Sequence, residues 1–506
     1  MEGSFKSIAQ NFLAKEIDLQ EFVSEKQFLE SKNQFDIFPK YSTGLRQKLV
    51  STIRKQYGEL ELPKTLSVLE QADCYTVTTG HQLCLNGGPL FVLYKILHTI
   101  ALANELTQKN PQKPVVPIFW MATEDHDIQE VNHFFLNYSQ KVQYSQSENT
   151  GGVGDILFDP QEIPAEYQPF LHPKFQQKKH WKTNFRELIH HYFNSLGLII
   201  IDANDRTLKQ EIIPYLTDDL KNHSSFYFIN ETNSLLSKYG YPIQAFARKV
   251  NWFYLAENKR IRIEHNTDSF QAENFKSWNN IHNLLQEVQE YPENFSPNVL
   301  LRPVYQQVIL PNLAYIGGWG EIAYWLQLKR LFSHWNVHFP ILLPRFSGFL
   351  YTQAQRKSWE DSGLPFEDIF LPNAELRKKI AMKLYDNEQV KLNFNNLLLQ
   401  AEQFSQGLVE QSLLADATQK SFLVTLNKHF THWEKKFWKR LYPKNRQLFE
   451  SLFDLKNQIQ PDGFTQERTL NWVYLTTLYP DLIPKIQENI GLFDGKPIQI
   501  ELLTSK

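Results

Sequence analysis

A chain of 506 residues can bury a large core and form more than one domain, and 42% hydrophobic with 14% aromatic residues is the composition of a folded protein. Its 53 basic and 55 acidic residues leave a formal charge of −2, so it lacks the basic excess of a dedicated nucleic-acid binder. Two cysteines, Cys74 and Cys84, exclude a disulfide scaffold and a CxxC metal or redox motif.

The opening segment MEGSFKSIAQNFLAKEIDLQ scatters charges and has no apolar signal core, and no uninterrupted apolar run reaches the length of a membrane span. The expectation is a soluble, cytoplasmic protein without nucleic-acid or membrane partners. Residues 1–70 read as mostly helical, with Leu45, Leu49 and Ile53 at helical spacing. DCYTVTTG then reads as a strand and HQLCLNGG as a loop. PLFVLYKILHTIALANEL reads as a buried helix with Pro89 at its first position. KPVVPIFWMA and LGLIIIDAND are two further strands, and strands alternating with helices predict βαβ units and a largely parallel sheet.

RKVNWFYLAENKRIRIE breaks the rhythm and reads as a hairpin turning near Glu257 to Lys259, within an inserted segment around 205–290. The α/β pattern returns through SPNVLLRPVYQQ, YIGGWGEIAYW and HFPILLPRFSG. From Asn373 to Tyr442 there is no proline and one glycine, Gly407, while Leu423, Leu426, Phe430, Trp433 and Phe437 alternate steps of three and four. Two helices joined near SLLADATQ would make an antiparallel pair, either packed on the body or serving as a dimerisation arm. The organisation predicted is a core over 1–372, a helical arm over 373–460 and a C-terminal segment, 461–506, that returns to the core.

Three segments could carry chemistry. In TVTTGHQLCLNGG a strand runs through a Gly-containing loop to a helix N-terminus, an arrangement that offers backbone N–H groups to an anion. There Gly80, Gly87 and Gly88 would admit a ligand close to the backbone, and Thr79, His81, Gln82 and Asn86 could bond it. The alternative is a tight turn whose glycines only let the helix pack. In ATEDHDIQEVNH, Glu124, Asp125 and Asp127 end a strand where open α/β sheets bind ligands, and could hold an amine, take its proton or meet Mg²⁺ beside phosphates. If a helix follows, His126, Glu130 and His133 share one face. Zinc ligation by them is the weaker reading, because the spacing is not HExxH and no thiolate assists. The plain alternative is that acids favour a helix N-terminus. Arg302, Gln306, Gly317, Gly318, Glu321 and Arg345 follow at further strand ends, and each arginine could pair a buried carboxylate or clamp a substrate anion. In the tail, Gln466, Glu467, Arg468 and Asn471 cluster as solvated helix surface or as a ligand contact.

TTGHQLCLNGGPLFVLYKI, PIFWMATEDHDIQEVNH, SPNVLLRPVYQQVILPNLAYIGGWGEIAYW and DGFTQERTLN, in this order, resemble the bacillithiol biosynthesis cysteine-adding enzymes over essentially the whole chain. That family commonly has glutamine where His81 stands here. The resemblance implies a Rossmann-like α/β core with inserted segments and a C-terminal antiparallel coiled-coil arm that makes a homodimer. It also implies a ligase that joins L-cysteine to the amine of glucosaminyl malate, the last step to bacillithiol. An amide does not form from a free carboxylate without activation, so ATP, with Mg²⁺ as its companion ion, is the expected co-substrate. On this reading the first Gly loop takes phosphate or carboxylate, and Glu124, Asp125, His126 and Asp127 are catalytic. Arg302 and Arg345 take malate or phosphate, and Gln466, Arg468 and Asn471 are candidate nucleotide contacts. Other readings are a nucleotidyltransferase or metal-dependent hydrolase on the same core, or a non-catalytic dimeric scaffold.

Overall fold

A computed structural model describes residues 7–27, 38–145, 151–256, 259–267, 269–384, 394–441, 446–460, 465–491 and 497–502. The chain forms two compact units, one comprising Met1–Phe349 with Glu467–Lys506 and the other Leu350–Gln466.

The larger unit is built on five parallel strands, β1 (Tyr75–His81), β2 (Val115–Met121), β3 (Ile199–Asp202), β9 (Asn312–Gly317) and β10 (Ile341–Pro344). They lie in the order β10-β9-β1-β2-β3. Nearly every residue of β1 and β2 is buried, which is why these strands read as continuous apolar runs: helices cover a parallel sheet on both faces. Helix α1 (Leu90–Lys109) lies against β1 and β2, and Leu102, Ala103 and Leu106 join Val77, Val115 and Ile316 in one core cluster. Each fully buried aliphatic side chain there contributes about 1.5–3 kcal/mol. Pro89 is the N-cap of α1 rather than its first helical residue. This helix is long and apolar enough to cross a membrane by length and composition, although charged residues interrupt its apolar run, and most of it is buried within the protein.

The inserted segment holds more than the expected hairpin. Strands β4 (Trp252–Ala256), β5 (Lys259–Asn266), β6 (Ser269–Ala272), β7 (Lys276–Trp278) and β8 (Phe295–Pro297) form an antiparallel sheet in the order β7-β6-β5-β4-β8. Of the predicted turn, Glu257 and Asn258 lie outside the described residues.

One element differs from expectation in a way that matters. After the acidic cluster the helix is a single turn, Ile128–Val131, and His133 opens a strand, His133–Asn137. Phe134 and Leu136 alternate inward in that strand, and this period-two burial outweighs the helical reading. His126, Glu130 and His133 therefore share no helical face, and the zinc reading loses its geometry.

In the smaller unit, α4 (Phe394–Glu410) and α5 (Asp416–Leu441) form the helical pair, and Gln419 bonds Ser405 and Gln406 across it. Leu423, Leu426 and Phe430 of the predicted seam are half-buried, whereas Trp433 is 64% exposed. The Phe437 side chain lies outside the described residues.

Candidate active site

The order of the parallel sheet reverses at β1 and β9, whose outgoing connections leave in opposite directions. Such a switch point opens a crevice beyond the carboxyl ends of the two strands. A cavity of about 490 Å³ lies there, walled by Gly80 to Gln82 at the end of β1 and by Ala122 to Asp125 after β2. Its remaining walls come from α2 (Arg302–Ile309), from α3 (Trp319–Leu326) with the preceding Gly318, and from Arg260 of β5.

The acidic wall is a turn held from outside. Gly152 and Gly154 pack on Thr123, and the Val153 and Gly154 N–H groups donate to the Asp125 and Thr123 carbonyls. Asp125 accepts from Gln82 Nε2 at 2.6 Å and lies 4.0 Å from the Arg260 guanidinium. Burial alone would raise its carboxyl. The nearby His126 ring, the Gln82 hydrogen bond and Arg260 outweigh that and bring it down to about 2. Glu124 is paired at 2.5 Å with Lys209, a buried lysine also bound by Asn204 and the Glu293 carbonyl. His126 sits at the rim, with Nδ1 3.3 Å from Arg260 and 3.7 Å from Asp125. Asp127 is exposed and caps the following turn without a side-chain bond.

The opposite wall is cationic. Lys95, the one charged residue between Leu90 and Asn104 of the apolar helix α1, is buried against Glu321, and its Nζ donates to the Gly80 carbonyl at 3.0 Å. Burial lowers the Lys95 ammonium and would raise Glu321. The Lys95 charge, with bonds from the Tyr315 hydroxyl and Gly318 N–H, instead holds Glu321 down at about 2. Arg302 bonds Gln306 at 3.0 Å and lies over the Trp120 and Tyr315 rings. Burial works against its charge, but Tyr315, Tyr324 and Glu321 outweigh burial and keep it more firmly protonated than usual. Among the described residues no carboxylate lies within ion-pair distance of it. A half-buried guanidinium facing a cavity without an acid partner is suited to receive an anion.

Of the residues expected from the sequence, Gly80, His81, Gln82, Glu124, Asp125, Arg302, Gly318, Glu321, Arg345 and Arg468 line this one cavity. The His81 imidazole is neutral, because burial and the Lys95 charge push it down to about 4. Arg345 is held by Glu467 and is not free to clamp a ligand as expected. Thr79 bonds the Ile316 carbonyl between strands, Gln306 supports Arg302, and Gly317 packs on Tyr315 and Glu321.

The expected anion loop is corrected by the structure. Gly87 and Gly88 have φ of +80° and +83°, and the space beside them is filled by Trp472 and Cys84 rather than open to a ligand. The Leu90 N–H at the start of α1 donates to the Leu470 carbonyl. Asn86 bonds Phe170, His172 and Asn471, while Asn471 bonds the Asn86 and Gly88 carbonyls and caps α6 (Trp472–Leu478). Hence Asn86 and Asn471, expected at phosphate and nucleotide, seal the loop against the tail. The Gln466 amide is engaged by the Leu350 backbone in the smaller unit. Sequence reasoning missed Lys95, Lys209 and Arg260. The first could have been found as the single charge in the middle of an apolar helix.

Two family descriptions match this chain: the N-terminal Rossmann-like domain of bacillithiol biosynthesis BshC over residues 2–346, and its C-terminal coiled-coil domain over residues 349–502. A protein of Christiangramia forsetii, provisionally named cysteine ligase BshC, is 35% identical over 480 residues, 89% of this chain and 88% of that protein. Proteins with the same provisional name from Flavobacterium johnsoniae and Bacillus cereus strain AH187 are 34% and 26% identical, over 93% and 90% of this chain and 92% and 91% of their own lengths. The larger unit carries a Rossmann-like parallel sheet and the smaller a coiled-coil pair, and the chain belongs to the BshC family of bacillithiol biosynthesis.

Proposed function

We propose that the protein is a carbon–nitrogen ligase that adds L-cysteine to the amine of glucosaminyl malate after ATP-dependent activation of the cysteine carboxyl group. The observation that carries this reading is the division of one cavity between Arg302, a half-buried guanidinium with no acid within ion-pair distance among the described residues, and a firmly ionised carboxylate, Asp125. Such a pair suits reactants that bring a carboxylate or phosphate to one wall and an ammonium to the other. The names of the relatives support the same reading.

In this reaction the amine nitrogen attacks the activated cysteine carbonyl carbon, the amide bond forms, and the activating group leaves with the bonding electrons, as AMP from an acyl-adenylate or as phosphate from an acyl-phosphate. A carboxylate held near 2 is a weak base and a strong anchor for a cation, so Asp125 orients the incoming amine and His126 at the rim takes its proton. Glu124, neutralised by Lys209, shapes the wall. The helical pair leaves Phe404 and Trp433 70% and 64% exposed, and we propose that a second copy covers them in a homodimer.

The test is reconstitution. Purified protein with glucosaminyl malate, L-cysteine and ATP is expected to give the cysteinylated thiol by mass spectrometry. AMP with pyrophosphate would mark adenylation and ADP would mark phosphorylation. Asp125→Asn is expected to raise KM for the amine substrate with the fold intact. Folded wild-type protein that forms no thiol from verified substrates would reject the reading.

A further inference from the structure

Beside the active-site cavity lies a second hollow of about 340 Å³, which shares Arg260, Asn298 and Val299 with it. Its walls come from the antiparallel insertion. Arg260 and Arg262 are two apart on β5 and so project to one face, while Phe253 pairs with Arg262 across the strands. The Phe253 ring carries both guanidiniums, at 4.2 Å and 5.1 Å from its centroid. Arg248, just before β4, is the third cation in the hollow. Its backbone is pinned from both sides by Asn251, whose side chain is buried and also bonds Ser225 and Asn298.

These three arginines differ in what they already bind. Arg260 is engaged by Ser296, the Pro297 carbonyl and His126, with Asp125 at 4.0 Å. Among the described residues, Arg248 and Arg262 have no carboxylate within ion-pair distance, and neither guanidinium makes a hydrogen bond within the chain. Burial, then the neighbouring charges of Arg248 and Arg260, make Arg262 harder to keep protonated, and only Glu264 acts the other way. Like charges gathered without counter-ions destabilise the folded chain, and an anion with more than one charge would relieve them.

We propose that Arg262, stacked on Phe253 beside Arg260, and Arg248 in the same hollow form an outer subsite that binds a multiply charged anionic group while the rest of the ligand reaches into the active-site cavity. The chemical class is an oligophosphate or a vicinal dicarboxylate. The identity of the anion as a substrate group rests on the ligase reading, whereas the existence of the subsite rests on the arginines. The deep Arg302 would then serve one anionic group and the outer arginines another, with Asp125 between these roles as the anchor for an amine.

The test titrates the full chain, by calorimetry, with L-malate and separately with inorganic tripolyphosphate. The wild-type chain, Arg248→Gln, Arg262→Gln, Arg262→Lys and the double glutamine variant are compared. One of the two anions is expected to bind the wild type and to weaken by about tenfold for each arginine removed, with the lysine variant intermediate. Loss confined to malate assigns the dicarboxylate, and loss confined to tripolyphosphate assigns the phosphates. Failure of both anions to bind the wild type, or unchanged affinity in a folded double variant, overturns the inference. In the ligation assay the double variant is expected to raise KM for one substrate with kcat preserved. A wild type that binds the anion through these arginines yet forms no amide leaves the subsite standing and removes the ligase reading.

Discussion

Arg345 and Glu467 form a bidentate ion pair, with Arg345 Nη1 and Nη2 at 2.9 Å and 2.5 Å from the two carboxylate oxygens and both side chains about nine-tenths buried. Ser347 adds a third bond to the same carboxylate. The pair fastens the segment after β10 to the start of the C-terminal tail, and it neutralises a cation at the edge of the cavity. Glu467→Gln is expected to destabilise the chain by about 3–5 kcal/mol, since a buried guanidinium would lose its counter-ion. Chemical denaturation checks this, with Arg345→Met/Glu467→Met as the milder control. A loss below about 0.5 kcal/mol for the single variant would make the pair incidental to folding.

Arg302 stands in the opposite condition, half-buried with no acid within ion-pair distance among the described residues. Tyr315, Tyr324 and Glu321 nevertheless outweigh the burial of its charge, so Arg302→Met removes a group the fold favours and the thermal midpoint of the free protein is expected to fall. Ligand-induced stabilisation is expected to fall by about 1.5–3 kcal/mol, the range of a charged hydrogen bond. Thermal shift with and without anionic substrate separates the two effects. Equal ligand protection in variant and wild type would place the anion elsewhere.

His81 predicts a pH dependence whose direction is fixed. Its folded value of about 4 lies below the ordinary 6.5 because burial and Lys95 disfavour the charged ring. Between these values the unfolded chain binds a proton at this position and the folded chain does not, so stability falls as pH drops from 6.5 toward 4. His81→Gln is expected to flatten this part of the stability profile by on the order of 2 kcal/mol. Activity at pH 7 should remain, since the ring is neutral there. Denaturation midpoints measured across the window decide it, and an unaltered slope would mean that the ring is solvated.

Gly87 tests the loop seal. A Cβ at this residue would lie 2.8 Å from the Trp472 indole nitrogen, at a φ of +80° that L-residues rarely adopt. Gly87→Ala is expected to cost about 1–3 kcal/mol through overpacking and strain. Increased protease cleavage near the tail would accompany it. Wild-type stability would show that the tail adjusts freely.

The strands of the parallel sheet were legible because burial on both faces leaves an unmistakable apolar run, as in Val115 to Met121. The acidic cluster was legible as a strand end for the same reason. The helix beyond it is shorter than its spacing suggests, because Ile128 and Val131 keep the helical period for one turn and only the inward packing of Phe134 and Leu136 shows that a strand begins at His133. The Gly-rich loop carried the local pattern of an anion site. Its glycines answer instead to Trp472, 385 residues away in the chain, a distance no local pattern records.

Composition and periodicity by themselves determined an α/β core, a helical pair and a set of polar residues at strand ends, since these follow from which side chains must leave water. The tertiary structure decided which charges are free. Arg302 and Arg345 look alike in sequence, each at the border of an apolar run. Both line the cavity, but Glu467 folds back onto Arg345, whereas among the described residues no carboxylate lies within ion-pair distance of Arg302, so one charge is taken up within the fold and the other is left to the cavity. That difference is set by which partner arrives through space, and the order of residues along the chain does not contain it.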